Sequence, residues 1–502
     1  MGSGKKIVEG VAWTTIVNLV NGVYGFISVP ILISYFGKSD YGLIGLAMSV
    51  NVYLRLLDLG FSSTNVRYFS NWLAKHEYKN VNKLFQTSLS FYGALGLLNA
   101  IVLVVVSLFS DRIFNLSVEQ DIIVKHLFYI LAISAFISWY TSCFDQLVKA
   151  NELVGWTQKM TLLPKFLQII ILVLTVTIGF NIEWYYALTT FSMLVILPLM
   201  IRKIKKLCPF VTFWPSFDKG IFKQVLPYSL NIFSFGIFQF SIVNLRPVFL
   251  GIESTPESIT DYRILDGIVR IVMMLGGAFM GVILPSASIV VAKHNQEAQE
   301  KIIYQGTKFI SIAICFCCFG MMSVTPEILT VYVGKEYLSL AIWLDLWLLA
   351  TLCTHNQAIS SLILAGSDIR AITYSTIVAS VIGLVVCWFL IPIYDVGGTV
   401  IGYGIYCLIQ ILFYYMYYWP KVMKINSKTV FFTSFIPYVG CGLIGCVGLR
   451  SISLEMNSWM GLLVKAGLFV MIYLMTSYFF LNKTDKLFIK KMIDRRIPNH
   501  LE

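Results

Sequence analysis

Apolar residues along this 502-residue chain gather in long blocks set apart by short polar segments. A helix needs about 20 apolar residues to cross the hydrocarbon core of a bilayer. Blocks of that kind lie at 11–35, 41–61, 84–109, 123–143, 160–180, 184–201, 225–250, 262–284, 304–324, 338–358, 371–393, 400–418, 430–448 and 460–480, the eighth and tenth being the least apolar. A β-barrel would instead show alternating segments of ~10 residues. The pattern predicts an all-α polytopic membrane protein of about fourteen transmembrane helices.

Composition agrees: 57% of the residues are hydrophobic and 13% are charged, whereas soluble domains carry roughly 25% charged residues. A soluble chain of this length would divide into several domains, each with a charged surface. The net charge of +12 is unevenly placed. With the N-terminus in the cytoplasm, Arg67, Lys149, Lys159 and the basic segments around 75–83, 202–223, 293–308, 421–428 and 483–496 fall inside. The opposite side holds Lys38, Arg112, Lys125, Arg263, Lys335 and Arg450. That bias of roughly four to one predicts an even number of helices with both termini cytoplasmic. The charge reports topology and calls for no nucleic-acid partner. The first block is too long, and lacks the small-residue pattern, for a cleaved signal peptide. Nine of ten cysteines, all but Cys208, fall in or beside apolar blocks. They read as buried thiols, Cys315, Cys317 and Cys318 included, because no histidine or acid accompanies them as a metal ligand.

A faint repeat runs through the chain. Ala74-Lys75-His76 with Lys83 recurs as Ala292-Lys293-His294 with Lys301, an offset of 218 residues in each case. Asp40-Tyr41 and Asp261-Tyr262 open the second and eighth blocks. Leu147-Val148-Lys149-Ala150 and Leu362-Ile363-Leu364-Ala365 close the fourth and tenth. Two six-helix lobes with one topology follow, 1–201 and 225–418, related by an axis along the membrane normal with the transport path between them. Residues 202–224 form a basic linker with interleaved aromatics (Phe210, Phe213, Trp214, Phe217, Phe222), expected to be amphipathic and to lie on the inner surface. Residues 419–502 add two helices and a basic tail.

A charge at the centre of a membrane helix costs roughly 2.5–3.5 kcal/mol on insertion scales, so it normally faces a cavity or a partner. The second block holds Arg55 and Asp58, three apart and on one face, with Asn51 a turn earlier. The eighth carries Arg263, Asp266 and Arg270 in one stripe. The seventh has Gln239 and Arg246 seven apart, with Asn231 on a neighbouring face. The first contributes Asn18 and Asn21, and the tenth Asp345, His355 and Asn356. Lys165 and Lys465 lie near block ends, where long side chains reach the headgroups. Guanidinium groups outnumber acids in the second, seventh and eighth blocks, which suits an anionic ligand and above all a phosphate. Arg246 and Arg263 lie near outer ends, where snorkelling explains them equally well. Asp58 and Asp266 either neutralise these arginines or carry a coupling ion, a proton or sodium. Pro30, Pro227, Pro247 and Pro285 permit kinks in the first, seventh and eighth blocks. No nucleotide-binding loop, metal-hydrolase motif or paired catalytic acids occur, so neither enzyme chemistry nor a cofactor is expected.

Pro30-Ile31-Leu32-Ile33-Ser34-Tyr35-Phe36-Gly37, Tyr41-Gly42-Leu43, Leu57-Asp58-Leu59-Gly60-Phe61 and Arg67-Tyr68 together resemble the N-terminal pattern of Wzx-type polysaccharide flippases. That superfamily also holds multidrug (MATE) exporters and the lipid II flippase. The resemblance implies a MATE-like bundle that moves an undecaprenyl-pyrophosphate-linked oligosaccharide (O-antigen or capsule repeat unit) from the inner to the outer leaflet. It also implies a bacterial or archaeal cytoplasmic membrane, with membrane lipids, polysaccharide polymerase and chain-length proteins as partners. Cavity arginines in related lipid II flippases come from the first, second and eighth helices. Arg55 and Arg270 stand in matching helices here. The first helix offers only Asn18 and Asn21, and Arg246 is the candidate substitute.

Two other functions fit parts of this pattern. A cation-coupled drug exporter would favour twelve helices and an acidic or aromatic pocket. A membrane polysaccharide polymerase or acyltransferase would need a large outer loop or a buried catalytic pair, for which His355 with Asp345 is the one candidate.

Overall fold

The computed structural model describes residues 3–292, 296–356, 362, 370–452, 458–482 and 485–486; the side chains of 3–8, 11, 231, 235 and 275–292 lie outside that description. Lys293-His294, Ile363-Leu364-Ala365, most of the basic run 483–496 and the side chains of Asn231 and Pro285 are therefore outside it too.

The described chain is helical almost throughout. The first part comprises α1 (Ser3–Phe36), α2 (Lys38–Leu54), α3 (Phe61–Ala74), α4 (Tyr78–Leu108), α5 (Val118–Ala150), α6 (Val154–Gly179) and α7 (Ile182–Leu207). There follow α8 (Lys219–Asn244), α9 (Arg246–Glu253), α10 (Pro256–Ala292), α11 (Gln296–Ser323) and α12 (Thr325–Tyr332). The last are α13 (Lys335–Asn356), α14 (Arg370–Tyr394), α15 (Val396–Val422), α16 (Ser427–Arg450) and α17 (Ser458–Phe479). Among the described residues, eleven helices are long and apolar enough to cross a membrane, or thirteen if each of two bent pairs is one span. The all-α, multi-pass architecture stands, and the count of fourteen is not reached among them. The 37-residue α10 is a further long helix.

Local chemistry sets the boundaries. Ser117 and Gln120 form a reciprocal capping box at the start of α5. Asn181 and Asp218 accept backbone N–H groups at the starts of α7 and α8. The two bent pairs are α2 with α3, at 44°, and the halves of α8, at 49°.

The chain forms two compact units. The first holds residues 1–268 and 376–406, the second 269–375 and 407–502, so α10, α14 and α15 contribute to both. In the first, α4 packs along α5, and α1 along α6. The linker runs as an extended strap along α4. Asn82 accepts the Thr212 N–H at 2.7 Å, Gln86 bonds the Trp214 carbonyl at 3.1 Å, and Thr87 accepts the Asp218 N–H at 3.1 Å. Phe213 packs on Phe85 and Phe144, and Phe210 on Tyr78, while Trp214 and Phe217 are exposed. Lys83 pairs with Asp218 at 2.9 Å; that ammonium and the α8 backbone N–H groups hold the Asp218 carboxyl below the usual range.

In the second unit α11 packs against α16 and α17. Ion pairs among its described residues include Lys308–Asp485 (2.8 Å), Lys465–Glu327 (2.6 Å) and Arg450–Asp345 (2.6 Å). Lys465 thus bonds a carboxylate within the protein.

Candidate functional site

The bend between α2 and α3 is built from the Leu57–Phe61 part of the sequence motif. Arg55–Asp58 form a tight 3-10 turn, and Leu59 (φ 51°) and Gly60 (φ 75°) then take left-handed backbone. A side chain at Gly60 would lie 2.7 Å from the Ser229 carbonyl, so glycine is required both by conformation and by space. Arms of 17 and 14 residues flank the break, about 25 and 21 Å at 1.5 Å per residue, so it sits away from both ends of the span. Non-helical backbone at such depth must be satisfied by protein or water. Ser229 of α8 donates to the freed Leu59 carbonyl at 2.6 Å, and Phe61 packs against Phe91, Tyr92 and Phe222.

Asp58 anchors a polar network behind the bend. Its Oδ1 accepts the Tyr92 hydroxyl (2.8 Å) and the Ser62 hydroxyl (2.9 Å), and its Oδ2 accepts the Ser62 N–H (3.1 Å). Gln146 Nε2 donates to Tyr92 (2.7 Å) and to Ser62 (3.1 Å). Asn65 Nδ2 donates to Gln146 Oε1 (2.8 Å) and Ser88 (2.9 Å). Tyr92, Asn65, Ser88 and Gln146 are buried. Sequence reading found Asp58 but missed these partners, which come from three separate helices. Asp58→Ala should cost about 1–3 kcal/mol for each buried donor it orphans, read as a lower melting midpoint in detergent. Asp58→Asn, which keeps an acceptor for Tyr92, should lose less. Equal midpoints for wild type and Asp58→Ala would remove the network from the account of stability.

Arg55, in the same turn as Asp58, is exposed. Asn18 and Asn21 are exposed on α1, a helix open on two opposite faces. Ile16, Leu19, Val23 and Ile27 form one exposed apolar stripe. Asn18 and Asn21 lie about 150° around the helix from the centre of that stripe. A bare carboxamide gains no hydrogen bonds from lipid tails. The apolar face of α1 therefore meets lipid and the asparagine face meets water.

The remaining candidates divide. Gln239 is exposed on α8. On α10, Arg263 is half-buried and donates to the Gly45 carbonyl at 3.3 Å, Asp266 is half-buried, and Arg270 is exposed. Arg246, at the start of α9, is 2% exposed, with Tyr403 and Tyr262 ring centroids 4.5 and 5.2 Å from its guanidinium carbon. Aromatic faces stabilise a cation removed from water, so in this conformation Arg246 is a caged charge rather than a cavity wall.

His355 and Asp345 lie ten residues apart on α13, about 15 Å along its axis. Asp345 bonds Arg450 and Thr325, while His355 bonds Tyr415 at 2.8 Å and stacks on Phe435. The one candidate catalytic pair is not assembled. Among the described residues, no group of three or more His, Cys, Asp or Glu side chains could hold a metal ion.

A family profile described as "Polysaccharide biosynthesis protein" matches residues 7–290. No curated protein sequence matches the chain. Among solved structures, lipid II flippase MurJ in an inward closed conformation aligns with a TM-score of 0.72 at 14% identity, covering 94% of this chain and 98% of that one. An inward-facing multidrug resistance MATE family transporter of the MOP superfamily gives 0.60 at 15% identity, covering 88% and 100%. A MATE transporter in complex with MaL6 gives 0.57 at 15% identity, covering 90% and 98%. At such identities these likenesses establish the fold alone.

Proposed function

Because the chain belongs to the polysaccharide biosynthesis protein family, we propose that it carries an undecaprenyl-pyrophosphate-linked oligosaccharide from the inner to the outer leaflet of the cytoplasmic membrane. The observation that carries this reading is the exposure of Asn18, Asn21, Arg55 and Arg270 on helices of a multi-pass membrane bundle. Carboxamides suit sugar hydroxyls, and guanidinium forks suit phosphate oxygens. The sugar travels in water along these faces while the polyprenyl tail stays in lipid. No bond of the cargo is made or broken, and both termini lie in the cytoplasm.

The cycle is alternating access driven by a proton or sodium gradient or by the membrane potential. Asp266, half-buried on the stripe of Arg263 and Arg270, is the carboxylate best placed to sense both an ion and the cargo's charge. Asp58 already accepts three hydrogen bonds.

Deleting the gene should trap lipid-linked repeat units on the cytoplasmic leaflet, where enzymes added to right-side-out vesicles cannot reach their sugars. Units that still appear on the outer leaflet at the wild-type rate would end the proposal. The fold shared with MATE transporters supports drug export as a second reading. Deletion would then sensitise cells to cationic drugs and leave surface polysaccharide normal.

A further inference from the structure

Arg67 falls in an inner segment by charge counting, yet it sits in α3, the second arm of the bent span. It lies eight residues before Lys75 at the helix end, about 12 Å along the axis. The buried face of α3 holds Phe61, Thr64, Asn65, Phe69 and Trp72. Its exposed face runs Ser63, Arg67, Asn71, spaced by four and so in one line. Nothing in that line suits lipid tails. The lipid-facing side of α4, by contrast, shows Leu97, Ile101, Val104 and Leu108. An exposed polar face thus runs along α3 from the helix end toward the bend that carries Arg55.

The Arg67 guanidinium carbon lies 4.0 Å from the centroid of Tyr228 on α8. Beside it α3 and α8 are tied together, where the Tyr68 hydroxyl donates to the Gln224 carbonyl at 3.2 Å. A ring beneath a guanidinium steadies the cation without using its N–H groups, which radiate in the guanidinium plane. That arrangement presents a pre-positioned fork to a tetrahedral oxyanion, and its geometry costs the ligand little ordering.

Resting on the transport function above, we propose that Arg67, held over Tyr228, is the entry site for the diphosphate of the lipid-linked cargo. It takes the charge on the exposed polar face of α3 and hands it to Arg55 at the bend. Ser63 and Asn71 flank it with hydroxyl and carboxamide groups for the first sugar. Its ligand is a polyprenyl diphosphate; an ordinary anionic phospholipid is the competing occupant.

The test uses the full-length protein in nanodiscs, with undecaprenyl diphosphate as probe and phosphatidylglycerol as control, and reads binding together with flipping in proteoliposomes. Arg67→Ala should weaken diphosphate binding roughly tenfold or more. It should raise the half-saturating lipid concentration with little change in maximal rate, because Arg67 acts at entry. Arg67→Lys keeps charge without the fork and should recover only part of the loss. Tyr228→Leu should resemble Arg67→Ala, and Tyr228→Phe should resemble wild type. Wild-type diphosphate binding by a folded, monodisperse Arg67→Ala protein would overturn the proposal and leave the transport reading standing. Equal loss of affinity for phosphatidylglycerol and diphosphate would overturn it too, assigning Arg67 to headgroup contact. A wild-type protein that neither binds nor flips the diphosphate lipid would instead bring down the transport reading itself.

Discussion

Arg55→Ala is expected to abolish surface polysaccharide while leaving the amount of protein in the membrane unchanged, and Arg270→Ala is expected to do the same. Arg55 is exposed within the turn that opens the bend, so its truncation leaves the packed surfaces intact, and surface substitutions of that kind usually move stability by no more than about 0.5 kcal/mol. Its effect on transport should be far larger. Removing one partner of a desolvated, hydrogen-bonded charge pair costs about 2–5 kcal/mol, which is roughly 30-fold to several thousandfold in affinity. Arg55→Lys should retain part of the function, since an ammonium supplies charge without a bidentate fork. The measurement is surface polysaccharide alongside immunoblotted protein. Normal polysaccharide in both alanine variants would remove the arginines from the transport path.

Gly42→Val is expected to be at least as damaging, by a different route. A Cβ at Gly42 would lie 1.9 Å from the Pro256 carbonyl oxygen and 2.5 Å from its carbon, and one at Gly45 would meet Arg263 Nε at 2.6 Å. Here α2 and α10 touch backbone to backbone. The Lys38–Asp261 pair at 2.7 Å and the Thr260 hydroxyl on the Lys38 carbonyl at 2.6 Å close the same seam. Even alanine must push the helices apart by about 1 Å, and overpacking of this kind costs about 1–3 kcal/mol or more. Valine adds two methyl groups against the same rigid backbone. Lower protein yield, a reduced melting midpoint and loss of polysaccharide should appear together, more strongly for valine than for alanine. A Gly42→Val protein with wild-type yield and transport would show that the seam yields at no cost.

The same seam accounts for part of the sequence motif. Tyr41-Gly42 and Leu57-Asp58-Leu59-Gly60-Phe61 are legible in the chain as a family pattern, but the work of each residue is not. Gly42 is needed because α10 passes over it, and Gly60 because α8 does. Ser229, Tyr92 and Gln146, which satisfy the bend and Asp58, carry no signal of their own. Each lies in an apolar run on another helix.

The amino-acid sequence by itself determined that the chain lives in a membrane as a bundle of helices. Hydropathy is a sum over local residues, and about 20 of them suffice to decide where each block is stable. It also located Arg55, Asp58, Asp266 and Arg270, since an ionisable residue in an apolar run stands out without any neighbour. Only the tertiary structure decided that block 41–61 bends and continues into α3, because two left-handed residues change direction without changing mean hydropathy. It decided that Arg246 is caged by two tyrosines while Arg67, read as a loop cation, lies over Tyr228. It likewise laid the linker as a strap along α4. Such outcomes depend on what another helix brings within a few ångströms, and separation along the chain carries no record of that.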